Sequence, residues 1–300
     1  MLSSHKVRLS ENAGTLILGA VFKLIAWCPK VLIDRLAACL CWILVPLLKK
    51  EKKRIAQNVQ LVKQLPPHSD FSLMFSRQVL RHQIFAGLET IKEIGRPGSI
   101  RVEGLAEYEA HAQKALEGGK GFIVVTGHLG TWELVAKYGA MASGTVFHAL
   151  AKPSKSPAFT RLLDGLRGSM NTNVLWSNSS RLVRDMLTAL KKNEPLGFVM
   201  DQKPEGRVGY SVDFLGRQTD FVTGPAKIAL RSGAPILGVF CVRIRPWHYK
   251  IICEPLIFGA EEETPELTLT QLMADRIGEK VTQYPEQWVW NYKRWASAPS

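Results

Sequence analysis

Apolar and polar positions alternate along this chain with two periods, and the switches between them mark out the elements. The run Gly121-Phe122-Ile123-Val124-Val125 is short, apolar and rich in β-branched residues, which predicts a buried strand. Gly127 and Gly130 bracket His128 directly after it, and an apolar-periodic segment runs from Trp132 to Met141. Strand, tight glycine turn and helix therefore follow one another. Beyond this point strands are predicted at 145–150, 173–176, 196–200, 235–243 and 249–253. Helices are predicted at 157–167, 179–192, from Thr223-Gly224-Pro225 to Arg231, and at 265–282, the third opening on a threonine cap and a first-turn proline. Strands regularly separated by helices predict an α/β fold whose central, mostly parallel sheet is covered by helices on both faces.

The first hundred residues carry a different pattern. Helices are predicted at 55–65, ending at Pro66-Pro67, at 70–94, stopped by Gly95-Arg96-Pro97-Gly98, and at 103–116. Ahead of them lie two apolar stretches, 15–28 and 36–48. Both fall short of the roughly 20 residues that span a bilayer. A small-residue cleavage site after a basic start is missing, so a secretory signal is not expected. The cluster Lys49-Lys50-Glu51-Lys52-Lys53-Arg54 follows at once, and an apolar segment ending in positive charge predicts a membrane anchor with the remaining chain on the cytoplasmic side. The expected organisation is a membrane-associated helical segment over 1–54 and an α/β domain over 55–300.

Charge narrows the class of partner. With 39 basic against 26 acidic residues, the net charge of +13 points to a polyanion: an anionic membrane, a phosphorylated substrate, an acidic carrier protein or nucleic acid. A basic motif interleaved with aromatics is lacking, so nucleic acid is not expected. Cys28, Cys39, Cys41, Cys241 and Cys253 sit in apolar runs without a CxxC, as reduced packing residues do, and no His/Cys cluster has metal-ligand spacing.

His128 and Glu133 are the candidate chemistry. Five residues apart on one helix they would diverge by about 140°, so they can meet only if the chain bends between them. A strand-to-helix turn supplies that bend. An imidazole oriented by a carboxylate is a general base, and free amides at the helix start, at Gly130 and Thr131, would stabilise an oxyanion. A loop histidine beside a solvated glutamate would share this spacing.

Five stretches in order resemble one family. Gly127-His128-Leu129-Gly130-Thr131-Trp132-Glu133 is similar to the His-x4-Asp/Glu motif of glycerolipid and lipid A acyltransferases. Arg54 to Asn58 resembles the family's R-x3-N, and Lys152-Pro153-Ser154-Lys155-Ser156-Pro157 its R-P-x-x-x-P, with lysine for arginine. Asp201-Gln202, Phe214-Leu215-Gly216 and Gly224-Pro225-Ala226 resemble its next series, and Pro285-Glu286-Gln287-Trp288-Val289-Trp290-Asn291-Tyr292-Lys293-Arg294-Trp295 its closing P-E-Q-W-x-W-x-x-R-[WF].

The resemblance implies transfer of a fatty acyl chain from acyl carrier protein to a hydroxyl of a membrane glycolipid, a lipid A precursor by default, at the inner membrane and without a cofactor. It matches His128 to the general base and Glu133 to the residue that orients it. A thioester attacked directly needs no nucleophilic serine, in keeping with the lack of a G-x-S-x-G elbow. Lys152 and Arg167 are candidates for the acceptor's phosphates, and Asp201 and Gln202 for substrate contact at the strand ends. The alternatives are another glycolipid or phospholipid as acceptor, or a membrane-bound lipid or thioester hydrolase using the same His/Glu pair. His148, His248, Trp288, Trp290 and Trp295 read as packing residues.

Overall fold

The computed structural model describes residues 2–62, 71–204, 209–254 and 265–295. The Pro66-Pro67 stop and the predicted helix ends at 63–65 and 70 lie outside them. Three helices open the chain, α1 (Leu2–Trp27), α2 (Lys30–Leu47) and α3 (Lys49–Leu61), followed by α4 (Phe71–Gly95). The core then alternates: β1 (Arg101–Glu103), α5 (Leu105–Leu116), β2 (Phe122–Thr126), α6 (Trp132–Ser143), β3 (Phe147–Ala151), α7 (Pro157–Gly168), β4 (Thr172–Trp176), α8 (Leu182–Lys191) and β5 (Pro195–Val199). A hairpin of β6 (Tyr210–Phe214) and β7 (Arg217–Phe221) intervenes before α9 (Gly224–Ser232), β8 (Ile236–Arg245), β9 (His248–Cys253) and α10 (Glu266–Gln283).

The seven-stranded sheet has the order β1-β9-β8-β2-β5-β3-β4, with every neighbouring pair parallel except β8 and β9. The mostly parallel α/β sheet is therefore present. β2 lies at its centre, and all of Phe122–Thr126 is buried, as its unbroken apolar run requires. Successive side chains go to opposite faces. Phe122 and Val124 join the core under α5 and α6, whereas Ile123 and Val125 join the one formed with α3, α4, α8, α9 and α10.

Two elements depart from the sequence reading. Residues 101–103, of which only Glu103 falls in a predicted element (the helix over 103–116), form an edge strand paired to β9, and the helix begins at Leu105. The β6–β7 hairpin has no counterpart among the predicted elements. It turns at Leu215 and Gly216, both with positive φ (57° and 76°), as two-residue hairpin turns demand.

The N-terminal helices are half inside. α2 buries a stripe of Ile33, Ala37, Cys41 and Val45 at four-residue spacing and leaves Val31, Leu32, Trp42 and Leu47 exposed. Leu16, Ile17, Leu24 and Trp27 of α1 and Leu73 and Met74 of α4 are exposed too. Among the described residues no single helix is long and apolar enough to cross a membrane, and α2 and α3 meet at a bend of 79°. The predicted boundary at 54/55 falls inside α3.

Candidate active site

Parallel register builds the centre of the site. Thr126, the last residue of β2, pairs with Val199, the last of β5, and Met200 extends the ladder by donating to the Thr126 carbonyl. Two residues past each strand end stand His128 and Asp201, so neighbouring in-register strands carry these two side by side. Both emerge at the carboxyl edge of the sheet, where ligands bind in open α/β folds.

Asp201 is the imidazole's partner. Its Oδ1 lies 2.6 Å from His128 Nδ1, and its Oδ2 accepts from the His128 backbone amide at 2.7 Å. A second donor, Trp288 Nε1, reaches Oδ2 at 2.6 Å. A carboxylate only accepts, so Nδ1 carries the proton and Nε2 is the free base. Gln202 Nε2 sits 3.2 Å from that Nε2, and the Trp132 ring meets the imidazole edge-on with centroids 4.9 Å apart.

Burial by itself would suppress charge on both groups, and pairing outweighs it. Burial pushes the His128 pKa down, but the Asp201 charge and hydrogen bond, with the Glu133 charge behind them, leave it raised. Burial pushes the Asp201 carboxyl up, yet the His128 charge, its hydrogen bond and the Trp288 N–H hold it below the ordinary carboxylate value.

Glu133 does not hold the imidazole, which corrects the expectation from His-x4-Glu spacing. Its carboxylate is gripped by Arg167 at the end of α7, with Nε to Oε2 at 3.0 Å and Nη2 to Oε1 at 2.6 Å. Glu133 lies on the first helical turn of α6, and a bidentate guanidinium fits a carboxylate better than a ring already committed to Asp201. Its influence on His128 is through space.

The expected oxyanion amides are also committed. Gly130 N–H donates to the Gln287 carbonyl at 3.0 Å and Thr131 N–H to the Cys241 carbonyl at 2.9 Å. Gly130 has φ of +59°, and a Cβ there would collide with Cys241 backbone. These residues stitch the turn onto β8 and the tail.

The tail is part of the site's frame, which the sequence reading missed when it treated Trp288 as packing. Trp288 is buried and bound to Asp201. Asn58 of α3 donates to the carbonyls of Trp290 (2.6 Å) and Tyr292 (2.7 Å), and Arg54 to that of Asn291 (3.2 Å). Residues 54 to 58 thus clamp the segment that positions Asp201. A polar donor inside an aromatic run was the available signal. His148 and His248 stand apart, paired with Glu194 and Glu103.

A cavity of about 710 Å³ opens beside His128. Its mouth carries Glu133, Lys152, Arg167, Gln202 and Lys203, and its interior is walled by Val124, Val135, Ala149, Phe147 and Gly197. The structure therefore brings together all the predicted charged candidates, with Asp201 behind the histidine and outside the cavity lining. Among the described residues no group of three or more potential ligands is placed to hold a metal ion.

Comparison with known proteins adds the lineage. A phosphatidylinositol mannoside acyltransferase of Mycobacterium tuberculosis is 26% identical over 187 residues, 62% of this chain and 58% of the relative. One from Mycolicibacterium smegmatis is 27% identical over 189 residues, 62% of this chain and 60% of its own length. The matched stretch thus spans under two thirds of either relative. The family model for bacterial lipid A biosynthesis acyltransferases matches residues 2–297, and the chain belongs to that family.

Proposed function

We propose that this chain transfers a fatty acyl group from a thioester, carried by acyl carrier protein, to a hydroxyl of a membrane glycolipid. The observation that carries this reading is the pair of buried Asp201 and half-buried His128, which presents an unprotonated Nε2 at the mouth of an apolar cavity. Nε2 takes the proton of the acceptor hydroxyl while its oxygen attacks the thioester carbonyl. The C–O bond forms, the C–S bond breaks, and the imidazolium returns its proton to the departing thiolate. Asp201 stabilises the imidazolium meanwhile, a general-base contribution of about 10²–10⁴ in rate.

Arg167, held rigid by Glu133, and Lys152 face the mouth and suit an anionic acceptor headgroup, with Gln202 steadying the imidazole edge. A lipid A precursor is the first acceptor to test and a phosphatidylinositol mannoside, named in the relatives, the second. The exposed apolar side chains of α1, α2 and α4, flanked by the 49–54 basic cluster, suit the cytoplasmic face of an anionic inner membrane. α1 also packs against α7, whose Thr160, Leu163 and Arg167 line the cavity, so the mouth lies near that face.

The test is thioester consumption with and without acceptor, followed by mass spectrometry of the lipid. Transfer requires acceptor-accelerated consumption and a lipid heavier by one acyl group. Consumption indifferent to acceptor, releasing free fatty acid, would instead establish a hydrolase.

A further inference from the structure

The cavity beside His128 extends along the sheet away from the strand ends, and Phe147 stands in the layer of its lining farthest from the histidine. Three layers of side chains line it along the sheet. The top layer, level with the strand ends, holds Thr126, Val199 and Ala151; the next holds Val124, Gly197 and Ala149; the lowest holds Phe147 and Thr172. The upper two layers are mostly small residues, which leave room between the sheet and α6. Phe147 then fills it. A Cβ on Gly197 of β5 would lie 2.6 Å from the ring's Cζ, and one on Gly139 of α6 would lie 2.6 Å from its Cδ2 and Cε2. The ring is thus wedged between bare backbone of sheet and helix, both glycines being needed to admit it. The Tyr108 hydroxyl crowds the same spot from α5, and Phe147 is 2% exposed.

We propose that Phe147, seated between Gly139 and Gly197, sets the length of the acyl chain this protein accepts, with Ala149 as the wall one layer above it. The inference rests on the acyl-transfer reading. Four strand residues separate Ala151 from Phe147, about 13 Å at a rise of roughly 3.3 Å per residue. With C–C bonds of about 1.5 Å in a zigzag, that depth takes on the order of ten methylenes. Carbons beyond that number meet the ring. The interior wall offers no charged group below the mouth, so the chain's methylenes replace water against apolar surface, and each excluded carbon forfeits its burial.

The experiment measures thioester consumption by the full chain over a graded series of saturated straight-chain acyl thioesters, with acceptor present. Phe147→Ala opens one further layer and should move the preferred length up by about five carbons, two strand residues of depth. Phe147→Leu should move it less. Ala149→Leu fills space that is empty in the wild type, so it does not depend on the core tolerating a deletion, and should shift preference to shorter chains. Thermal unfolding checks that each variant is folded. Folded variants with the wild-type length profile would overturn the assignment while leaving acyl transfer standing. A wild type that consumes no thioester of any length would overturn the acyl-transfer reading and this inference with it.

Discussion

Asp201 and His128 are joined at two points. One carboxylate oxygen meets the ring nitrogen at 2.6 Å and the other accepts the histidine's own backbone amide at 2.7 Å. A single carboxylate thereby fixes the turn, the ring's rotation and its tautomer. The first expectation follows from this arrangement. Asp201→Asn keeps the shape but gives Nδ1 a neutral partner, and should lower kcat by about 10²–10⁴. His128→Ala should lose at least as much. Because the carboxylate holds the His128 pKa up, the acidic limb of kcat/KM in the asparagine variant should lie at lower pH than in the wild type. A limb that stays in place would detach Asp201 from the base.

Glu133 and Arg167 should behave as a unit distinct from that pair. Glu133→Gln removes the charge that anchors the Arg167 fork, and the first effect expected is a raised KM for the acceptor. Arg167→Met should do the same, and the double variant should cost little more than either single one, because residues sharing one contact are not additive. Loss confined to kcat, with KM unmoved, would return Glu133 to the role that the spacing alone suggests.

Stability should carry the signature of the same pair. The folded His128 pKa is raised, so its contribution is complete below the imidazole's unfolded value and is lost as pH rises through the folded one. The folded Asp201 pKa is lowered, so its contribution is present above the carboxyl's unfolded value and is lost as pH falls through the depressed one. Their joint stabilisation therefore peaks between the ordinary carboxyl and imidazole ranges. Asp201→Asn should flatten that maximum in urea unfolding measured across pH.

Trp288→Phe keeps an aromatic ring in the tail cluster but removes the donor to a buried carboxylate. Leaving that acceptor short of a partner costs about 1–3 kcal/mol. Calorimetry should show the lower Tm, and activity should fall with it as Asp201 becomes harder to ionise.

Binding to vesicles should have two separable parts. Replacing Lys49, Lys50, Lys52 and Lys53 with glutamine removes about 1 kcal/mol per charge of attraction to anionic lipid, and that loss should vanish in high salt. Trp42→Ser with Leu47→Ser, both on the exposed face of α2, should weaken binding at any salt while leaving Tm unchanged. A full chain released by salt alone would leave the apolar face without a membrane role.

Much of this architecture is written in local sequence pattern. The β2 run, the glycine turn and the α6 periodicity are local patterns whose period and breakers act over a few residues, and the structure carries each within a residue or two. β1 escaped because three residues at a sheet edge show no period, and the β6–β7 hairpin because its turn uses a positive-φ leucine. The amphipathic α2 stripe was hidden inside a run apolar on every side, so its buried half and exposed half looked alike in sequence.

The chemistry divides along the same line. Residue type and the neighbouring turn mark His128 as a base, because both are written within a few positions. Its partner is another matter. Glu133 is near in sequence but emerges one helical turn away, where Arg167 takes it; Asp201, seventy-three residues on, arrives because two parallel strands pair in register and end together. The tail tryptophan that completes Asp201's contacts is set by α3, at the other end of the chain. Local pattern determines which residues can act and which elements carry them. Which side chains meet is decided by strand register and packing, since those contacts form only when segments far apart in sequence bury one another.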